Sequence, residues 1–302
     1  MMAETELFYN FYNDKRGIAL LIHNEEFDSC SNLLKRKGDT FDYDKMFKMF
    51  SKLGFVVHSY RNLNAAQIDE KAKEVASLSD VHKNSDCFAC VIATHGEETL
   101  FEEKDNYKVK EHVIFGNDGK PVATRALVKM FDDCEELKDK PKFFFIQACR
   151  TIKGTTENER TDEGFTVNMT EKIPKEIPSA NNSDGIDSQA SHDKESSPYN
   201  DLVPQVAYVD CPEDTLLMFA SLAGNYAVRN PVKGGWLLSS LYNQVDQNLS
   251  SDKLWTTDFI HILNGTLNEM AKKQFNNSID RFFSPGCLMH ALTKDVLFTK
   301  KT

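Results

Sequence analysis

Two residues of this sequence carry groups suited to nucleophilic catalysis, and each of them follows a short apolar run. Cys149 ends the run 143–148, and His95 comes directly after the run 87–94. Short runs of this kind are typical of buried strands, and open α/β sheets bind ligands at the carboxyl ends of parallel strands. A thiolate at such an edge would attack a carbonyl carbon while a nearby imidazole transfers the proton.

Gly96 follows the histidine and would allow a backbone N–H to approach a substrate closely. Together with the N–H of Cys149, this group could stabilise an oxyanion. The two side chains are by themselves a modest signal, because the chain contains seven cysteines and eight histidines. Considered alone, Cys149 is better explained as a small buried residue of the core, as most free cysteines are.

The elements that would position these groups alternate between strands and helices. The pattern predicts strands over 18–22, 55–60, 87–94, 143–149, 215–222, 287–292 and 296–298, and helices over 42–53, 64–78, 124–131, 236–245 and 259–272. Asp42 and Asn64 are the expected N-caps of the first two helices. Gly116-Asn117-Asp118-Gly119 indicates a hairpin, and the charged stretch 97–111 predicts an exposed loop. This order predicts an α/β domain with a mainly parallel sheet.

Composition and charge limit the class of protein. Of the 302 residues, 40% are hydrophobic and 27% are charged, which is ordinary for a soluble globular protein. The net charge of -10 argues against nucleic acid or an anionic membrane as a partner. Seven cysteines, an odd number, fit a reducing compartment better than a disulfide framework. Because the N-terminus has no apolar leader and no run reaches transmembrane length, we expect a cytoplasmic protein.

Cys87 and Cys90 have the CxxC spacing that redox and metal sites use. No second CxxC pair accompanies them, and both lie inside an apolar strand-like run. Packing in the core is therefore the favoured explanation for the pair. We expect neither a metal ion nor a cofactor.

Residues 151–205 differ in character from the rest of the chain. The segment is rich in Ser, Asn, Asp, Glu, Lys and Pro, and such a composition cannot offset the entropy of ordering by burying apolar surface. A structureless stretch of this length inside a compact domain is usually functional or a linker. We expect a disordered linker here.

Several motifs, taken together, resemble one family. Gln147-Ala148-Cys149-Arg150 resembles the sequence around the nucleophile of caspases, in which the histidine lies roughly 50 residues upstream; positions 95 and 149 differ by 54. The catalytic-histidine motif, the hairpin after it, the substrate-binding loop and the C-terminal strand region of caspases resemble 94–98, 114–119, 226–236 and 288–298. The resemblance extends in order over nearly the whole chain from about Gly17.

The resemblance implies a fold and an activity. The fold would be the caspase-like three-layer α-β-α arrangement, with a mostly parallel six-stranded central sheet flanked by helices. The activity would be that of a cysteine endopeptidase that hydrolyses peptide bonds after Asp in protein substrates and takes no cofactor. Cys149 would be the nucleophile, His95 the general acid and base, and Gly96 and Cys149 the oxyanion N–H donors.

The resemblance also implies the residues that bind substrate. Two arginines and a glutamine of the caspase S1 pocket correspond to Arg36, Arg229 and Gln147. Two guanidinium groups around one short carboxylate give a bidentate geometry that lysine does not reproduce. The remaining residues of the substrate-binding cleft would be Tyr226, Val228, Asn230 and Trp236.

A third implication concerns maturation. The chain would be a single caspase domain with a short N-terminal tail (1–16), a large subunit (17–187) whose C-terminal end is a disordered linker, and a small subunit (188–302) that starts with the linker remnant. Cutting after Asp in the part of the linker over 175–205 would activate the zymogen, and Asp187 is the preferred site because Asp precedes it at P4 and a small residue follows it. Weaker candidates are Asp184, Asp193 and Asp201. The short tail suggests an executioner-like member that acts in apoptosis, as a homodimer, under upstream activating caspases and inhibitor proteins.

Two departures from the caspase pattern leave an alternative open. Thr151 stands where the family usually has Gly, and Ala227-Val228 replace the usual Ser-aromatic pair. The smaller Val228 should widen the subsites beyond S1. The alternative is a catalytically weak or inactive caspase-like regulator that acts through protein binding.

Overall fold

The structure, a computed structural model, describes residues 7–102, 108–152, 205–207, 211–273, 275–276, 281–282 and 284–301. The predicted disordered linker lies almost wholly outside the described residues, and so do the four candidate processing sites Asp184, Asp187, Asp193 and Asp201. No helix in the described part of the chain combines the length and the apolar character needed to cross a membrane.

The described residues form strands and helices in alternating order, as predicted. The strands are β1 (Ile18–His23), β2 (Val56–Arg61), β3 (Phe88–Ala93), β4 (Gly96–Glu102), β5 (Lys108–Phe115), β6 (Pro121–Ala123), β7 (Lys142–Gln147), β8 (Gln205–Ala207), β9 (Thr215–Phe219), β10 (Arg229–Asn230), β11 (Gly234–Gly235), β12 (Phe275–Asn276), β13 (Arg281–Phe282) and β14 (Cys287–His290). The helices are α1 (Asp39–Lys52), α2 (Ala65–Ala76), α3 (Ser79–Lys83), α4 (Thr124–Asp132), α5 (Trp236–Ser250) and α6 (Phe259–Lys272).

The central sheet has six strands in the order β14-β9-β7-β3-β1-β2. All neighbouring pairs are parallel except β14 with β9, which is antiparallel. Helices cover both faces, so β1, β3 and β7 are buried along their whole length and have continuous apolar sequences. The predicted mostly parallel six-stranded sheet is confirmed.

Alternate residues of each strand enter two separate cores, which gives the fold its three layers. On β1, Ala19 and Leu21 pack in the core that contains residues of α1, α5 and α6. Ile18, Leu20 and Ile22 pack in the core that contains residues of α2 and α4. Side chains alternate across a strand, so one short apolar run serves both layers. The predicted α-β-α arrangement is confirmed.

The exposed loop predicted over 97–111 is wrong. Its residues continue β4 as far as Glu102 and enter β5 from Lys108, and residues 96–102 pair antiparallel with 108–114. Residues 103–107 lie outside the described part of the chain. High charge suggested a loop, but an antiparallel ribbon satisfies its backbone internally and tolerates polar side chains facing water. The hairpin predicted around 116–119 is confirmed as the connection between β5 and β6.

Helix starts are predicted correctly in one case and wrongly in another. Asn64 accepts a hydrogen bond from the Gln67 N–H, and the Gln67 side chain accepts one from the Asn64 N–H, so the predicted cap is confirmed. Asp42 is not a cap, because α1 begins three residues earlier after Gly38. Asp42 is fully buried, and both of its carboxylate oxygens accept the Gly235 N–H at 2.8 Å. The carboxylate therefore binds a backbone group that is distant in sequence, and the local sequence does not indicate this contact.

The strand predicted over 296–298 is also wrong. Val296 and Phe298 are buried, but their backbone joins no strand. The carbonyl of Val296 instead accepts the N–H of Phe259 at the start of α6, at 2.9 Å. Apolar residues predicted a strand here, yet the segment packs against the start of α6 without pairing to a strand.

Residues 7–16, predicted as part of a tail, pack against the core. Tyr9 and Phe11 are buried, and the Tyr9 hydroxyl donates to the Asp214 carboxylate. The ring of Phe11 lies 5.0 Å from that of Phe298 in an edge contact. The segment therefore joins the end of the chain to the start of β1.

We predict that Phe11→Ala lowers the free energy of unfolding by about 3–5 kcal/mol, the usual cost of truncating a buried phenylalanine. Denaturant unfolding followed by circular dichroism measures it. The matched control is Tyr12→Ala, because Tyr12 is 85% exposed and its truncation should change stability by less than about 0.5 kcal/mol. Equal effects of the two substitutions would show that the segment is not anchored by Phe11.

A second prediction concerns the buried carboxylate of Asp42. Burial and the adjacent Asp39 carboxylate raise the pKa of Asp42 to about 6, although the Gly235 N–H acts in the opposite direction. The folded protein holds this proton more tightly than the unfolded chain does. Asp42 therefore contributes stability below about pH 4 that is lost as the pH rises through its folded pKa.

Asp42→Asn removes this titration. The stability of the variant relative to the wild type should rise by about 2 kcal/mol between pH 4 and pH 7. Urea unfolding at both pH values measures the change. Asp44→Asn, at an exposed position of the same helix, should show no such rise. A relative stability of Asp42→Asn that stays constant with pH would contradict the assignment.

Candidate active site

The two candidate catalytic residues extend from neighbouring parallel strands at the same level. Ala93 and Gln147 are register partners in β3 and β7, and each strand ends within a residue of this pair. The N–H of Thr94 donates to the carbonyl of Gln147 at 3.3 Å, which continues the pairing beyond the strands. His95 and Cys149 each lie two residues after the register pair, so the structure brings both to one edge of the sheet.

The imidazole of His95 is held by two groups of the loop between β1 and α1. Its Nε2 lies 2.7 Å from the carbonyl oxygen of Leu34, and its ring lies 4.7 Å from the ring of Phe27. A carbonyl oxygen only accepts, so Nε2 must carry the proton. In the neutral ring Nδ1 is then the basic nitrogen. Nothing in the sequence indicates the role of Leu34, because a backbone carbonyl is common to every residue type.

The sulfur of Cys149 lies against the loop that follows β9. The N–H of Ala227 donates to Sγ at 3.1 Å. The same loop holds the next residue, because the Arg150 N–H donates to the Asn225 carbonyl at 2.9 Å and the Gly224 N–H donates to the Arg150 carbonyl at 2.7 Å. A backbone N–H directed at sulfur stabilises the anionic thiolate, which is the nucleophilic form.

The N–H of Gly96 lies on the side of β4 that faces the turn after Cys149. The Phe115 N–H donates to the His95 carbonyl at 3.0 Å, so Gly96 and its register partner in β5 form a non-hydrogen-bonded pair. The Gly96 N–H therefore points away from β5, to the side on which the carbonyl of Thr151 accepts the Glu98 N–H at 2.8 Å. A Cβ on Gly96 would lie 3.0 Å from the Cys149 carbonyl oxygen. This close approach places both predicted oxyanion donors in one region.

The turn after Cys149 is fixed by buried polar contacts. Arg150 pairs with Glu98 at 2.6 Å, and its guanidinium lies 4.4 Å from the centre of the Phe219 ring. Thr151 does not have a positive φ. The turn therefore does not require the conformation that only glycine adopts easily, and Thr151 fits it.

His112 is a further polar residue beneath the nucleophile that the motifs do not indicate. Its Nε2 lies 3.1 Å from the carbonyl of Cys149, and its Nδ1 lies 2.8 Å from the Thr124 hydroxyl. Burial lowers the pKa of His112 to about 3, and the charge of Arg150 acts in the same direction. His112 is therefore neutral, and it donates from Nε2 to the Cys149 carbonyl.

The three residues predicted for S1 also come together. The Arg36 Nη2 lies 3.5 Å from the carbonyl of Gln147. The Arg229 Nε donates to the carbonyl of Lys37 at 2.9 Å, one residue after Arg36. Both arginine residues are buried. The Gln147 side chain accepts the Leu237 N–H at 3.2 Å, which fixes it at the start of α5.

The other residues predicted for substrate binding lie in the same loop and at the start of the same helix. Val228, Asn230 and Trp236 are buried, whereas Tyr226 is partly buried against the core. The Trp236 N–H donates to the Val228 carbonyl at 3.0 Å, and the Asn230 side chain accepts the Val232 N–H at 2.9 Å. The segment 226–236 is thus a folded hairpin rather than a loose loop.

The arrangement has the parts of a thiol acyl-transfer site. It combines a sulfur, an oriented imidazole, two backbone N–H groups and two guanidinium groups at one sheet edge. Among the described residues, no group of three or more His, Cys, Asp or Glu side chains could hold a metal ion.

Comparison with known proteins identifies the family. The Caspase domain matches residues 16–297. Caspase-7 of Gallus gallus is 27% identical over 300 residues, covering 96% of this chain and 79% of that protein. Caspase-3 of Mesocricetus auratus is 29% identical over 297 residues, covering 96% of this chain and 86% of that protein.

A solved structure agrees on the fold. The crystal structure of caspase-1 from Spodoptera frugiperda superposes with a TM-score of 0.68 at 23% identity, over 100% of this chain and 97% of the other. With a family domain that matches most of its length, this chain belongs to the caspases, which are cysteine-type endopeptidases.

Proposed function

We propose that this chain is a cysteine endopeptidase that cleaves after Asp. The observation that carries the proposal is the meeting of Arg36, Gln147 and Arg229 beside the edge that holds Cys149 and His95. The guanidinium groups of two buried arginines suit one short carboxylate. A neutral side chain in this pocket would not form the charge-assisted hydrogen bonds that a carboxylate forms with them, so discrimination against it should be large.

In the proposed reaction, the Cys149 thiolate attacks the carbonyl carbon of the residue at P1, and His95 holds the proton at Nδ1. The N–H groups of Gly96 and Cys149 stabilise the oxyanion that develops. His95 then gives its proton to the leaving amine, and a water molecule hydrolyses the thioester with the imidazole as general base. The Leu34 carbonyl orients the ring throughout.

The maturation and assembly of the chain are part of the same proposal. The zymogen would be cut in the linker, first after Asp187, to give the large (17–187) and small (188–302) subunits. The strand β14 lies at the end of the sheet order, and an edge strand supports pairing with a second copy. An upstream caspase and inhibitor proteins would be its further partners, and apoptosis the process it serves. All seven cysteines are free, which supports a cytoplasmic location.

The proposal is tested with fluorogenic peptides that end in Asp or in Arg. We expect cleavage of the Asp-ending peptides at least about 100-fold faster than of the Arg-ending ones. Cys149→Ala should reduce the rate by at least about 10⁴-fold. Cys211→Ala is the matched control. Cys211 lies before β9, and its thiol contacts the carbonyl of Thr215 at the start of that strand, whereas the loop that contacts Cys149 follows the other end. Cleavage of the Arg-ending peptides alone would overturn the proposed specificity.

Processing is tested by mass spectrometry of the expressed chain. We expect fragments that end at Asp187, and an intact chain for Cys149→Ala. Asp187→Ala should slow processing or move it to Asp184, Asp193 or Asp201. A wild-type chain that stays intact and cleaves no peptide would favour the alternative, a regulator that acts through protein binding.

A further inference from the structure

Four ionisable side chains are buried together where β1 ends and α1 begins. His23, Arg36, Asp39 and Asp42 are each at most 1% exposed. The proposed mechanism uses only Arg36. Buried charges are costly unless they are paired, so the remaining members of this cluster require an explanation.

Asp39 is the partner of the S1 arginine. Its Oδ1 accepts a hydrogen bond from the Arg36 Nη1 at 2.7 Å, and the same nitrogen donates to the Asn24 carbonyl at 2.9 Å. The two hydrogens of Nη1 are thus both used. Asp39 and Asn24 together fix the guanidinium on one side, while Nη2 faces the Gln147 carbonyl.

Asp39 carries a negative charge in this setting. Burial would raise the pKa of its carboxyl, but His23 and Arg36 hold that pKa below its usual range. The Nδ1 of His23 lies 3.3 Å from the carboxylate, and Oδ2 of Asp39 has no hydrogen-bond partner among the described residues. A buried anion at 2.7 Å from Arg36 lowers the positive potential that the arginine presents on its other side.

We propose that Asp39 determines the specificity of the S1 pocket: it positions Arg36 and offsets its charge, so that the pocket presents less positive charge to a P1 carboxylate than its two arginines would present without Asp39. The inference rests on the proposed function, since it takes Arg36 and Arg229 to be the S1 residues. Asp39 acts through Arg36 and is therefore a positioning residue. It reduces the discrimination between Asp and its neutral isostere Asn at P1.

Asp39→Asn separates the two effects of Asp39. The amide oxygen still accepts from Nη1, and the charge is lost. Two peptides that differ only in Asp or Asn at P1 are compared, and the measured quantity is the ratio of their kcat/KM values. We expect this ratio to rise about tenfold in Asp39→Asn, mainly through a lower KM for the Asp peptide. Asp44→Asn, which removes the same charge from an exposed position of α1, should leave the ratio unchanged.

A merely structural role for Asp39 predicts another result. In that case Asp39→Asn would change kcat for both peptides alike, and the ratio would stay within about twofold of the wild-type value. That outcome, or a lower ratio, overturns the inference. If Asp39→Asn does not fold, Arg229→Gln replaces it. With Arg36 offset, loss of Arg229 should bring the ratio to within about threefold of one, and a ratio above about tenfold overturns the inference.

Binding to the Cys149→Ala protein, measured by calorimetry with the same two peptides, distinguishes this inference from the proposed function. If the protein prefers the Asp peptide and Asp39→Asn does not change this preference, the inference about Asp39 is overturned and the proposed Asp specificity stands. If the protein with Asp39 shows no preference for the Asp peptide and Asp39→Asn introduces one, the inference about Asp39 stands and the proposed Asp specificity is overturned. Failure of both peptides to bind either protein would overturn both.

Discussion

The site depends on the register of three parallel strands. His23 pairs with Ala93, and Ala93 pairs with Gln147, so β1, β3 and β7 end at one level. The residues that follow these ends, among them His95 and Cys149, then face the same space. A slip of one residue in either pairing would turn each following side chain to the other face of the sheet. The apolar packing on both faces prevents such a slip, because every residue of these strands is buried.

Buried ion pairs hold the segments around this edge. Arg150 and Glu98 tie the nucleophile turn to β4, whereas Arg36 and Asp39 tie the first loop to the start of α1. A buried pair adds little net stability, since desolvation opposes the Coulomb attraction. It does fix geometry, because breaking it leaves a charge without its partner. These pairs are therefore better understood as positioning devices than as sources of stability.

The sequence predicts the parts of the fold that follow from apolar patterning. The strands β1, β3 and β7 can be predicted because both faces of the sheet are covered, which requires an apolar side chain at nearly every position. The β4–β5 ribbon could not be predicted from the sequence. Its residues show no clear alternation of apolar and polar side chains, and its strands are joined by backbone hydrogen bonds. Asp42 shows the same limit, because its partner is the Gly235 N–H, nearly two hundred residues away. The motifs indicate Cys149 but not the carbonyl of Leu34 that orients the imidazole.

Several of the groups that would perform catalysis are backbone atoms, so the positions of two loops decide whether the site is competent. Leu34 supplies the carbonyl that holds His95, and it lies two residues before Arg36 in one loop. Ala227 supplies the N–H on the sulfur, and it lies two residues before Arg229 in the other loop. The two loops are joined where Arg229 donates to the carbonyl after Arg36. A carboxylate bound between the two arginines would contact both loops at once. Recognition at P1 and orientation of the catalytic groups are therefore coupled, because both depend on the same short segments.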